Sequence, residues 1–431
     1  MVPCILQTRL GSPWCYAEER HLRRILVLSG VTALALVVHG SASAGILYAW
    51  GLNSSGQIGD GTTTNRLVPV PVWGLASVTS MATGAAHSLA LAEDGTLRGW
   101  GLNGNGQVGD GSFTDRPQPV TAGGIADIWT IGAGSAHSIS LSHDGTLRTW
   151  GFNGDGQLGD GSIINRPNPV PVSGLSGATA IAGGVNQTYA LLANGTVQAW
   201  GYNSGGELGD GSNTQRNIPV PVGGLVNVVR IAAGQSHTFA VLADGSARCW
   251  GVNQFGQLGD ATTLSRNSPV TVIGLSNVLD IAGGGDFSLA VLTDGTVMSW
   301  GRNNNGQLGD GTSLNHSSPA PVSGLSGILD VEAINNSAYA LSADGRLWAW
   351  GLNLSGQLGL GDTISRNTPT EVTAPQGYLF ESIAGDANSN HVLAILRPVP
   401  SPSPLVLLGI TTLAAIRRTR PASRPNRRDS N

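Results

Sequence analysis

The pattern Trp-Gly-x-Asn occurs at Trp50-Gly51-Leu52-Asn53 and returns at Trp100, Trp150, Trp200, Trp250, Trp300 and Trp350, a constant interval of 50 residues. A fixed period of this length constrains the fold more than any other feature. Each unit is too small to bury its own apolar face and must stack on its neighbours.

Aligning the units at this interval names their strands. Met81 to Gly84 is short and rich in small residues, as are its equivalents starting at Ile131, Ile181 and Ile231. Such a strand suits a crowded centre. In the next segment, His87-Ser88-Leu89-Ala90-Leu91, alternation separates a bulky face (Leu89, Ile139, Tyr189, Phe239, Leu289, Tyr339) from a small one (Ala90, Ser140, Ala190, Ala240, Ala290, Ala340). One large and one small face predict blade stacking on blade. Asp94-Gly95 and its copies, Asn194-Gly195 among them, predict two-residue type I′ hairpins leading into the strand Leu97 to Trp100. Seven buried Trp anchors then hold the ring without disulfides.

The last unit reads Ile383-Ala384-Gly385, then His391 to Leu396, and stops before its hairpin, while Ile46 to Trp50 at the other end lacks a partner. Pairing 46–50 with 391–396 would satisfy both edges and close the ring. The expected fold is all-β, a seven-bladed β-propeller with both ends in one blade.

Composition agrees. Charged residues make up 12%, glycines number 63 and all 23 basic residues are arginine. Without lysine, a P-loop lysine, a Schiff base and a lysine general base are excluded. Between Gly45 and Leu396, 24 Asp and Glu face 12 Arg. An acidic body repels a phosphate backbone, so no nucleic-acid partner is expected.

The ends read differently. Arg20, Arg23 and Arg24 precede the apolar run Ile25 to Val38 and then Ala42-Ser43-Ala44, which predicts a signal peptide within a leader of residues 1–44. Cleavage would leave Cys249 as the sole thiol, in a slot otherwise held by small residues, and so a buried space-filler. The propeller is expected over 45–397. Residues 398–431 hold a Pro-rich stalk, the apolar run Leu405 to Ile416 and an Arg-rich end. This tail resembles the PEP-CTERM sorting signal of exported bacterial proteins, though Ser401 or Ser403 stands where that signal has glutamate. The resemblance implies a bacterial protein exported to the envelope or beyond, with C-terminal attachment.

WGxN, then GQLGDG, PxPV, IAxG, HSxAL and DGxLxxW resembles the repeat of the regulator of chromosome condensation family over 46–396. The resemblance implies a seven-bladed propeller. It leaves function open, since a fold hosts many roles. The founding member promotes nucleotide exchange on a small GTPase through a projecting wedge, and secreted bacterial members include a β-lactamase inhibitor.

Polar repeats are read as structural. Asp60, Asp110, Asp160, Asp210, Asp260, Asp310 and Asp362 are followed by Arg66, Arg116, Arg166, Arg216, Arg266, His316 and, after a one-residue shift, Arg366, as braces within each blade. His87, His137, His237 and His391 are interrupted by Gln187, Phe287 and Ser337, which argues for strand-start hydrogen bonding rather than a metal. No GxSxG elbow occurs. Neither catalytic residues nor a cofactor are expected. Apolar residues in turns, where no packing demands them, give the candidate binding face: Phe113, Ile163, Ile164, Phe255, Leu264, Leu314, Leu354 and Ile364.

The expected function is a non-enzymatic, exported, monomeric propeller that binds a protein or surface polymer through one loop face. Guanine-nucleotide exchange is the first alternative, opposed by six equal intervals that leave no room for a wedge. A glycan-active enzyme is the second, opposed by the lack of an asymmetric carboxylate pair.

Overall fold

The structure, a computed structural model, describes residues 45–399; the leader, signal peptide and C-terminal sorting signal lie outside the described residues. Seven four-stranded antiparallel sheets form the blades of a propeller. Blade 1 runs outward through Val78–Thr83, His87–Ala92, Leu97–Gly101 and Arg116–Thr121, and blades 2 to 6 repeat this plan at 50-residue offsets. Blade 7 is composite, in the order Tyr378–Ala384, His391–Pro398, Ile46–Gly51, Arg66–Pro71. Its closing register pairs Ile46 with Leu396, Tyr48 with Ala394 and Gly51 with His391. The two ends of the described chain therefore zip together inside one sheet, as expected.

The outermost strand of every blade was not legible as a strand, because it carries proline, in five of the seven blades within a PxPV segment. Its position explains the tolerance. An edge strand can spare the backbone N–H that proline lacks.

The hairpins differ from expectation. Gly95 has φ +81°, but Asp94 does not adopt a positive φ. Gly95 N bonds Ala92 O, and Ala92 N bonds Thr96 O, both at 3.0 Å. This is a three-residue loop, a turn of type I kind followed by a left-handed glycine, not the two-residue type I′ turn. Asp94 Oδ1 accepts from Thr96 N at 2.8 Å, so aspartate serves here as a side-chain acceptor.

Blades stack large against small. Ile139, Leu141 and Leu147 of blade 2 pack with Ala178, Ala190 and Trp200 of blade 3 in one buried cluster, and each of seven such clusters holds one of the repeated tryptophans. All seven indoles are fully buried. Each also donates across the interface: Trp150 Nε1 bonds Gln107 O at 3.0 Å, and Trp50 closes the ring on Gln357 O at 2.7 Å. Burial of the ring and satisfaction of its only polar atom are thus met by one neighbour. Gly109 makes this approach possible: it sits at φ +82°, and a Cβ there would stand 2.6 Å from Trp150 Nε1.

Cys249 is buried, and its Sγ donates to Leu258 O at 2.8 Å, as the Thr149 and Ser299 hydroxyls do to Leu158 O and Leu308 O at 2.7 Å. Burial pushes its thiol far above the ordinary range. It fills space and replaces a hydroxyl donor.

Candidate functional site

The antiparallel order sends two sets of connections to one face of the disc: the inner hairpin loops, such as 84–86, and the long loops between third and fourth strands, such as 102–115. The Asp-Gly hairpins and the linkers between blades occupy the opposite face. Every sequence-predicted binding residue falls in a long loop.

These loops are held from within. Asn53 is fully buried; its Nδ2 donates to Asp60 Oδ1, Thr62 O and Thr64 O, and its Oδ1 accepts from Ile58 N. Asp60 Oδ2 in turn accepts from Arg66 Nε at 2.5 Å. Burial alone would raise the Asp60 carboxyl, but the Thr62 hydroxyl and Arg66 outweigh it and hold it below the usual range. The expected brace is present in every blade, with His316 replacing arginine beside Asp310 at 2.9 Å. Blade 6 departs from the expected one-residue shift. Leu360 occupies the aspartate slot, and Asp362 stands two positions later, in the hydroxyl slot of Thr62, where it takes both the Asn353 amide and Arg366.

The four strand-start histidines are fully buried and link neighbouring blades. His87 Nε2 lies 2.9 Å from Ser138 Oγ, whose proton is directed to Gln107 O at 2.7 Å. Nε2 is therefore the protonated nitrogen. Nδ1 of His87, His137 and His237 has no hydrogen-bond partner. Burial pulls all four imidazoles down to about 3, so they are neutral at physiological pH. Among the described residues no three His, Cys, Asp or Glu side chains converge to hold a metal ion.

The predicted apolar residues form two arcs. Leu264, Leu314 and Ile364 hold the same slot in successive blades 4, 5 and 6, with Leu354 beside Ile364 on one loop; their exposures run from 62% to 72%. Phe113, Ile163 and Ile164 make a second arc on blades 1 and 2, at 55% to 62%. Blades 3 and 7 interrupt the ring, with Thr214 and Thr64 in that slot. Phe255 shares the blade 4 loop with Leu264 but is half-buried rather than exposed, with the Arg302 guanidinium 4.8 Å over its ring.

Sequence reasoning missed one feature of this face. The inner hairpin loop of blade 7 has six residues, 385–390, where blade 1 has three, 84–86. The added residues reach over the propeller axis. Asp386 N bonds Thr83 Oγ1 of blade 1 at 2.7 Å, Asn388 Oδ1 accepts from Gln235 of blade 4 at 2.8 Å, and Asn390 Oδ1 accepts from Asn335 of blade 6 at 3.1 Å. Ser389 Oγ lies 2.8 Å from His391 Nδ1, supplying the partner that the other three histidines lack. Burial raises the Asp386 carboxyl to about 7, and raises Glu332 well above its usual range, helped by Asp330, Asp280 and Asp386. The signal was in the sequence: His391 follows Gly385 by six positions, whereas His87 follows Gly84 by three.

Comparison with known proteins places this architecture. The model of the RCC1-like domain matches residues 164–394, and the regulator of chromosome condensation (RCC1) repeat matches 44–91 and 94–141. A second model of that repeat matches 78–107 and 130–157. Among solved structures, human WBSCR16 is 23% identical with TM-score 0.75, covering 83% of this chain and 100% of that one. Yeast RCC1 (Prp20), solved bound to Kap60, is 21% identical with TM-score 0.74, covering 86% and 96%. Prp20p of Saccharomyces cerevisiae, in a structure described with its binding to Gsp1p and histones, is 20% identical with TM-score 0.74, covering 89% and 100%. At these identities the likeness speaks for the fold.

Proposed function

From the premise that this chain belongs to the RCC1-like domain family, we propose that it is a non-enzymatic binding propeller that takes a protein partner on its long-loop face. The observation that carries this reading is the arc of Leu264, Leu314, Leu354 and Ile364, which exposes large aliphatic side chains on loops already fixed by buried Asn and partly buried Asp. A rigid loop that presents an apolar tip spends little entropy on binding. Strand packing gives no reason for those tips. The partners named for the yeast relative, Kap60, Gsp1p and histones, are proteins, which supports protein binding as the general role. Export and envelope attachment belong to the same proposal and rest on the sequence of the two ends.

The test is capture from envelope extracts with the full chain. The variant Leu264→Ser with Leu314→Ser, Leu354→Ser and Ile364→Ser should lose the captured partner while its Tm stays within about 2 °C, since exposed sites contribute little to stability. Undiminished capture would show that another surface binds.

A further inference from the structure

Blade 3 breaks the apolar ring, and the structure puts something different there. A recess of about 250 Å³ opens on the long-loop face between blades 3 and 4, lined by Val185, Asn186, Gln187, Tyr202, Gln235, Ser236 and Asn388. Four of the seven lining side chains are carboxamides, two carry hydroxyls (Ser236 and the phenol of Tyr202) and none is charged. Asn388 comes from the extra residues of blade 7, so the inserted loop forms the axial wall and is fixed by its bond from Gln235 Nε2. Gln187 stands in the slot that four other blades give to histidine.

The hydrogen-bonding capacity of the wall is only half used. Asn186 Nδ2 bonds Asp155 Oδ2 at 2.9 Å, and Gln187 Oε1 accepts from Asn186 N at 3.2 Å. Among the described residues, Asn186 Oδ1, Gln235 Oε1, Asn388 Nδ2 and Ser236 Oγ make no hydrogen bond within the protein. They present both donors and acceptors. Tyr202 adds an aromatic ring at 37% exposure, in a slot held elsewhere by Leu52, Leu102, Phe152, Val252, Arg302 and Leu352.

We infer that this recess binds a neutral sugar unit of a glycan. Vicinal hydroxyls each donate and accept, matching paired carboxamide groups, while the C–H face of a pyranose covers an aromatic ring. The uncharged lining disfavours an acidic sugar, which would have to leave water without a cationic partner. The volume lies below the roughly 300–1,000 Å³ of drug-sized sites, so one ring enters and the rest of the chain runs over the surface. This site is separate from the apolar arcs and stands or falls independently of the protein-binding reading.

The experiment titrates the full chain by calorimetry with cellotriose, mannotriose and chitotriose, and with trigalacturonate as the acidic comparison. At least one neutral trisaccharide should bind saturably. Tyr202→Ala and Asn388→Ala should each weaken it by about tenfold or more, with Tm unchanged for the exposed Tyr202 variant, and Tyr202→Phe should restore binding by returning the ring. Three outcomes overturn the proposal: no saturable titration by any neutral trisaccharide, binding undiminished in Tyr202→Ala and Asn388→Ala, or preference for trigalacturonate.

Discussion

At the scale of the residue, the histidines set the acid response. His87, His137, His237 and His391 titrate near 3 in the folded ring, while the ordinary value is 6.5. Unfolding below pH 6.5 therefore takes up protons. Each histidine contributes stability that is intact above pH 6.5 and lost as pH falls toward 3, at about 1.4 kcal/mol per pH unit. Asp386 opposes this: raised to about 7 from 3.8, it keeps a proton when folded and favours the folded state toward the acid side. Four histidines outweigh one such carboxyl, and also a second if Glu332 is added. His137→Gln borrows the residue that blade 3 carries at Gln187. It should lower the slope of stability against pH between 4 and 6 by about 1.4 kcal/mol per unit. Urea denaturation at stepped pH measures this, and an unchanged slope would mean that the imidazole is charged in the ring. Histidine's structural role could be read from its interruption by Phe287; the hydroxyl partner one blade away could not, because it lies 51 residues along the chain.

At the scale of the element, the hairpins and long loops show what pattern can and cannot reveal. Asp94-Gly95 marks a turn, yet the turn's length depends on the register closed by Ala92 and Thr96, which the dipeptide does not encode. The PxPV strand was hidden because proline reads as a breaker until its place at a blade edge is known. The loop glycines separate two physical effects. Gly109 and Gly124 both have positive φ, but a Cβ at Gly109 meets Trp150, whereas at Gly124 nothing lies within 4 Å. Gly124→Ala should cost only the left-handed penalty, about 1–2 kcal/mol. Gly109→Ala should add a clash with a buried indole and cost about 2 kcal/mol more. Equal losses in thermal or urea unfolding would contradict the close approach as the reason for that glycine. Chain arithmetic alone could have found the blade 7 insertion; its reach across the axis to Gln235 needed coordinates.

At the scale of the whole molecule, the period and the two unpaired ends made the ring and its closure legible before any coordinates. The identity of the proposed binding face was less so, because the loops that carry Leu314 and Tyr202 are equivalent in the repeat and differ only in what they expose. Closure also predicts a permutation. Leu396 pairs with Ile46 as the neighbours of a hairpin do, so joining them through Glu-Asp-Gly and opening the chain between Asp144 and Gly145 should give a protein that folds with a similar Tm. Failure of this permutant to fold would mean that the closing sheet needs its ends free. The seam has a directional effect as well. His391–Pro398 runs toward the hairpin side of the disc, and Ile46–Gly51 starts from that same side. The described chain thus ends at Val399 beneath the disc, as if at the root of the stem of an upturned dish, on the side opposite the one bearing Leu314 and Tyr202.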